Sequence, residues 1–150
     1  LFFVAIPYAC IFLYEAIQAY FGGDPLESLD GLLTAIFALV FLTLAILYRD
    51  RLYTATTFSL AALFTWYHYV TFENSFRTKW YRTYFASCIP FVLINGMLTG
   101  LFTDQPVVLY NEAETIGERL WTIPLDDFGY SYLLLFSTFT VYSVLRSYWS

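Results

Sequence analysis

Five apolar runs alternate with short polar breaks along the chain, at residues 1–21, 31–48, 53–72, about 80–102 and about 128–149. Crossing a bilayer as a helix takes about 20 mostly apolar residues, and each run approaches or exceeds that length. Runs this long exclude single strands, and the short alternating segments of a closed barrel are absent. In lipid only helices then satisfy the backbone. The pattern predicts an all-α membrane protein, a polytopic bundle with five transmembrane helices.

The breaks have distinct characters. Gly22-Gly23-Asp24-Pro25 is a helix stop and turn. Arg49-Asp50-Arg51 reads as a tight polar hairpin, and the stretch from Glu73 to Lys79 as a short polar loop. The fourth connector, 103–127, is far longer than a turn, and long ordered loops often carry function. Ile123-Pro124 is expected to open the last helix, with the proline in its first turn. Five spans place the 49–51 turn and the 103–127 loop at one face. The 22–30 loop, the 73–79 loop and the C-terminus then share the other. Basic residues fall on both sides: Arg49, Arg51 and Arg119 against Arg77, Lys79, Arg82 and Arg146. Orientation is therefore left open.

Composition supports the membrane reading. The chain is 59% hydrophobic and only 13% charged, against roughly 25% charge in soluble domains. A net charge of −5 argues against nucleic acid as a partner. Cys10 and Cys88 lie inside apolar runs without CxxC spacing and read as inert core thiols. No signal-peptide pattern opens the chain, which starts inside an apolar run and is expected to continue upstream.

Chemistry concentrates between Pro106 and Asp127, which hold five of the twelve acids: Glu112, Glu114, Glu118, Asp126 and Asp127. Carboxyls against an apolar body are costly to keep charged, so they are either solvated or used. Asp126 and Asp127 admit two readings. In one they compensate the dipole of the last helix. In the other they form a shared-proton pair, in which the two cannot both ionise cheaply and one stays an acid. Glu114 and Arg119 could pair if the loop is helical, although a spacing of five is not ideal. Glu112 and Glu114 otherwise read as part of a solvated loop helix. Asn95, Tyr110 and Asn111 are neutral hydrogen bonders that could orient a carboxyl. Gly96 and Gly100 form GxxxG, read as close helix packing.

His68, the only histidine, reads as an interfacial packer, which argues against two-histidine haem and histidine-box iron chemistry. Lys79, the only lysine, reads as a snorkelling side chain rather than a Schiff base. Glu15 reads as reaching toward headgroups. The 14 Tyr, 16 Phe and 4 Trp exceed what interfacial belts need, and the surplus could line a cavity that steadies a cation. GxGxxG, P-loop and Cys/His metal spacings are absent, so no cofactor and no metal are expected.

A weak internal repeat is visible. At an offset of 128, Phe2, Ile6, Tyr8, Tyr14 and Ile17 fall opposite Tyr130, Leu134, Phe136, Tyr142 and Leu145. If real, a counterpart of Pro124 to Asp127 lies just before Leu1.

Several pieces together resemble the lycopene cyclase domain family of small integral-membrane carotenoid cyclases. They are Ile6-Pro7-Tyr8 with Tyr14-Glu15, Asp50-Arg51-Leu52-Tyr53-Thr54, Asn95-Gly96 with Thr99-Gly100, Pro106-Val107-Val108 with Tyr110-Asn111, and Arg119 with Thr122-Ile123-Pro124-Leu125-Asp126-Asp127. The resemblance implies two halves, each with a Pro-x-acid-acid motif, and about seven helices, of which these are the last five. Residues 1–30 would end the first half, 31–52 connect, and 53–150 form the second half with its catalytic loop at 103–127. The missing N-terminal half would come from the same chain or from a partner subunit, with a further oligomer possible.

The implied reaction closes the end group of a linear carotene such as lycopene. A carboxylic acid protonates the terminal double bond, the neighbouring alkene attacks the cation, and a base removes a proton to leave a β-ionone ring. Asp126 or Asp127 would be the donor or its partner, and Glu112 and Glu114 second choices. Arg119, Asn95, Tyr110 and Asn111 would tune or orient them. The alternatives are a membrane prenyltransferase holding Mg²⁺ and a diphosphate, and a non-catalytic membrane subunit. The location expected is multi-pass in the cell's inner or plasma membrane.

Overall fold

The computed structural model describes residues 2–72, 74–102 and 105–149. Five helices carry the fold: α1 (Phe2–Tyr20), α2 (Asp30–Leu47), α3 (Leu52–Thr71), α4 (Asn74–Leu98) and α5 (Asp126–Trp149). A 3₁₀ turn, Glu27–Leu29, leads into α2, and two short strands, β1 (Arg119–Leu120) and β2 (Ile123–Pro124), precede α5. Glu73 and Thr103, which bound two of the expected loops, lie outside the described residues.

The five expected helices are present. Two helical stretches, Glu27–Leu47 and Asp126–Tyr148, are long and apolar enough to cross a membrane. Most of the first lies on the outside of the bundle, where Leu32, Leu39, Leu42 and Ile46 are exposed. The count of five spans is not reached by that measure among the described residues. α3 dilutes its apolar run with Thr54, Thr56, Thr57, Ser59, Thr65 and His68, and α4 carries Arg77, Lys79, Arg82 and Asn95.

α4 begins earlier than its apolar run, so Arg77 and Lys79 lie inside the helix and not in a loop. The cause is a buried ion pair. Arg77 is almost fully buried and clamps Asp30 at the start of α2 through two bonds, Nε to Oδ1 at 3.0 Å and Nη2 to Oδ2 at 2.6 Å. Its Nη1 also donates to the His68 and Phe72 carbonyls that end α3, at 3.1 and 2.7 Å. One guanidinium thereby joins three helix ends, and its charge is matched where water does not reach.

Aromatic rings fill the centre. Trp80 and Phe136 lie parallel with centroids 5.2 Å apart, and Phe37 stacks on Tyr81 at 5.3 Å and on Tyr132 at 5.0 Å. The aromatic surplus thus goes mainly into packing α2, α4 and α5 together and not into a cavity wall. Two hydroxyl pairs cross the core between helices, Thr34 with the Tyr81 hydroxyl at 2.8 Å and Thr65 with that of Tyr132 at 3.0 Å. His68 is part of this stack, fully buried between Phe72, Phe136 and Phe76, so it is a core residue and not an interfacial one.

α1 packs along α5 in the same direction: Tyr14 meets Phe139 edge-on at 4.5 Å, and further along Glu15 accepts from Tyr142 at 2.9 Å and pairs with Arg146. Glu15 therefore links two helices instead of reaching outward. α5 in turn approaches α3 closely because Gly129 has no side chain; a Cβ there would overlap the Phe58 ring. This contact seats the first turn of α5 against α3.

The two ends of the bundle differ. One gathers the α1–α2 connection, the α3–α4 junction and the C-terminal end of α5, with Arg82 donating to the Gly23 carbonyl at 3.0 Å. The other gathers the Arg49–Arg51 turn and the long segment after α4.

Candidate active site

α4 ends at Leu98, and two residues on, Gly100, with a φ of +97°, takes the left-handed cap conformation that glycine adopts without a steric penalty. The Leu101 N–H reaches back to the Gly96 carbonyl at 2.7 Å. The Gly96/Gly100 pair is thus a helix stop and not a helix-packing motif. Val107 and Val108 then return to the Leu98 carbonyl at 2.9 and 3.1 Å, which turns the chain back over the bundle end.

The segment that follows is not helical. Asn111 makes a tight turn, accepting from the Ala113 N–H at 3.1 Å, and Gly117 (φ +85°) reverses the chain again. The pairing of β1 with β2 is antiparallel, Arg119 opposite Pro124 and Leu120 opposite Ile123. Ile123 and Pro124 are therefore in a strand, and the last helix opens at Asp126 instead. Ile123 is fully buried beneath the hairpin, while Trp121 at its tip is exposed.

Glu114 and Arg119 do not pair, since the loop helix that would align them is absent. Arg119 meets Glu112 at 3.3 Å on the exposed face, donates to the Thr122 carbonyl at 2.9 Å and lies over the Tyr110 ring at 5.9 Å. Glu114 caps α3. Its carboxylate accepts the Leu52 N–H at 2.8 Å and its carbonyl accepts the Thr54 N–H at 3.2 Å. Two of the free N–H groups of the first turn of α3 are satisfied by a residue about sixty positions away. Arg51 secures the same loop, donating to the Glu112 and Thr115 carbonyls at 2.6 and 2.7 Å.

Under this cover lie the two aspartates, both withdrawn from water. Asp126 is completely buried. It accepts from the Thr54 hydroxyl and, at 3.0 Å, from the Ile116 N–H. Asp127 is 5% exposed and faces a different set of donors: the Tyr110 hydroxyl at 2.6 Å, the Asn95 amide at 2.8 Å and the Tyr53 hydroxyl at 3.4 Å. Consecutive helix positions diverge by a quarter turn or more, so the carboxyls take separate partners, and no hydrogen bond joins them among the described residues. Burial raises the pKa of the Tyr110 phenol well above its ordinary range, and its bond to Asp127 adds to the effect. Tyr110 is thereby a neutral donor across the physiological range.

Of the residues singled out in the sequence, Asp126, Asp127, Asn95 and Tyr110 come together. Arg119 touches this group through the Tyr110 ring. Glu112, Glu114 and Asn111 hold the loop and do not face the aspartates. Tyr53 and Thr54 belong to the site and were not among the expected site residues. Their signal was the Asp50 to Thr54 motif, which pointed to the position but not to the contact.

A cavity of about 330 Å³ lies between α1, α4 and α5, and Asn95 forms part of its wall.

A family model described as lycopene cyclase matches residues 50–145, from the turn before α3 almost to the end of α5, more than half of the chain. Both aspartates and every donor to them fall inside the match. No curated protein and no solved structure matches the chain. The chain belongs to the lycopene cyclase family.

Proposed function

We propose that this chain closes the end group of a linear carotene into a β-ionone ring by acid–base chemistry, with Asp127 as the proton donor. The observation that carries the reading is the environment of Asp127: a carboxyl withdrawn from water and held by three neutral donors, one of which, Asn95, also lines an apolar cavity. Loss of water favours the neutral acid of any carboxyl, and a hydrocarbon has nothing but its double bond to offer an acid.

The proton of Asp127 adds to the terminal double bond of the substrate. The next double bond attacks the cation and a carbon–carbon bond closes the ring. The cation left in the ring then loses a proton and a new double bond forms. One proton is gained and one lost, so formula and oxidation state are unchanged. The carboxylate left on Asp127 is the base nearest the ring. Asn95, Tyr110 and Tyr53 strengthen their bonds to it as charge develops, which lowers the barrier to releasing the proton.

Asp126 serves position. Its two oxygens tie the Ile116 backbone and Thr54 to the start of α5, fixing the turn that aims Asp127. Glu112 and Glu114 have structural partners that occupy them, so neither is assigned as acid or base.

All four oxygens of the two aspartates already accept bonds from the protein, which favours this chemistry over a shared Mg²⁺ and a diphosphate. Burial of both acids likewise favours use over solvation in a non-catalytic subunit. In this reading all five helices cross the membrane, and the exposed leucines of α2 and α3 face lipid or the remaining half of the enzyme. That half comes from upstream residues or from a partner subunit.

The test is expression of the full-length gene in a lycopene-accumulating host. Wild-type protein yields ringed pigment, and the double substitution Asp126→Asn with Asp127→Asn yields none at equal protein level. Ring formation in isolated membranes continues in a chelator. Unchanged pigment from the double variant refutes the reading, and magnesium-dependent consumption of a diphosphate supports the prenyltransferase instead.

A further inference from the structure

We infer that the end group of the carotene binds in the cavity between α1, α4 and α5, entering sideways between α1 and α4. This rests on the cyclase reading above and adds to it the seat of the substrate. The cavity holds about 330 Å³. That is the low end of the roughly 300–1,000 Å³ of small-molecule pockets, room for one folded end group and not for a whole carotene.

Its two ends differ. Ala5 and Ala9 on α1 and Ile94 and Pro90 on α4 are exposed and form the mouth. Cys10, Ser87, Ser131 and Leu135 are buried and form the inner wall. Alanines at the mouth leave a gap that an apolar chain can thread from the side.

The cavity also reaches the acid. Asn95 lines it and donates to Asp127 at 2.8 Å, so one residue links the cavity to the carboxyl. Ser131 lines it from α5, one helical turn after Asp127 and on the same face. Apart from Asn95 and the two serines the lining is apolar, which suits a hydrocarbon and keeps water from the cation.

Two other cavities compete and fit less well. The groove between α2 and α3 is larger, about 670 Å³, but none of its lining residues bonds to either aspartate. The cavity between α3 and α5, about 420 Å³, includes Tyr53 and the Glu114 carboxylate. It touches Asp127 only through the 3.4 Å Tyr53 bond, and of its lining only Thr57 is buried, so it encloses an end group less completely.

The experiment places one tryptophan at an exposed position of each cavity in the full-length protein: Ala9→Trp, Ala35→Trp in the α2–α3 groove, and Thr56→Trp in the α3–α5 cavity. Ring formation from lycopene is measured per unit of membrane-inserted protein, with Asp127→Asn in parallel. Ala9→Trp lowers it about a hundredfold, the scale of a displaced reacting group, while Ala35→Trp and Thr56→Trp stay within about threefold of wild type. Full activity in Ala9→Trp overturns the inference, as does an equal loss in all three. A loss confined to Ala35→Trp or Thr56→Trp moves the substrate to that cavity and leaves the cyclase reading intact. Wild-type activity in Asp127→Asn refutes the acid assignment, whichever cavity is blocked.

Discussion

The side-chain amide of Asn95, near the end of α4, donates to the Asp127 carboxylate in the first turn of α5 at 2.8 Å. The two residues are 32 positions apart in the chain, and this bond ties the end of α4 to the start of α5. A donor at that distance favours the carboxylate and therefore the departure of its proton.

Asn95→Leu removes this donor and keeps the volume. A hydrogen bond to a charged group is worth about 1.5–3 kcal/mol, and the full amount appears in the rate if the bond matures only as the charge develops. Ring formation per molecule is expected to fall roughly ten- to hundredfold. Asn95→Gln, whose longer amide still donates, should recover part of it. Equal rates for Asn95→Leu and wild type contradict the positioning role.

Glu114→Ala is expected to act on stability more than on chemistry. It removes the carboxylate that caps α3 at the Leu52 N–H, a change worth about 0.5–2 kcal/mol. The melting temperature of the detergent-solubilised protein should drop, with ring formation per folded molecule little changed. Glu114→Gln should melt closer to wild type, since its amide oxygen still accepts. Complete loss of ring formation in stably folded Glu114→Ala would instead make this residue part of the acid–base machinery.

Gly129→Ala tests the seating of α5. Its Cβ would overlap the Phe58 ring, and overpacking of this kind costs about 1–3 kcal/mol. Because Asp127 lies two residues earlier, activity should fall along with the melting temperature. Adding Phe58→Leu makes room, so the double variant should melt higher than Gly129→Ala alone. A double variant no more stable than the single one would remove the close approach as the cause.

Much of this architecture is legible in the residues themselves. Long apolar runs give away the five helices, and paired acids beside them give away Asp126 and Asp127. Neutral hydrogen bonders near apolar spans lead to Asn95 and Tyr110. What stays hidden depends on contacts between distant positions. Thr54 lies 72 residues before Asp126, and nothing local marks it as a donor. Glu114 looks like a loop acid because its partner, the start of α3, is far away in sequence. Arg77 looks like a loop cation until Asp30 is brought to it from α2. Gly100 resembles one half of a packing motif because spacing alone does not reveal a positive φ. The hairpin at 119–124 is missed for a simpler reason: a Pro so close to a helix suggests its first turn as readily as a strand.

The central claim divides the labour between two neighbouring carboxyls, and single substitutions in the full-length protein separate them most directly. Ring formation from lycopene should fall about 10²–10⁴-fold in Asp127→Asn, the range of a lost general acid, with the melting temperature near wild type. Asp126→Asn should chiefly lower the melting temperature, and its folded fraction should retain measurable ring formation. A folded Asp127→Asn that closes rings at the wild-type rate would contradict the account.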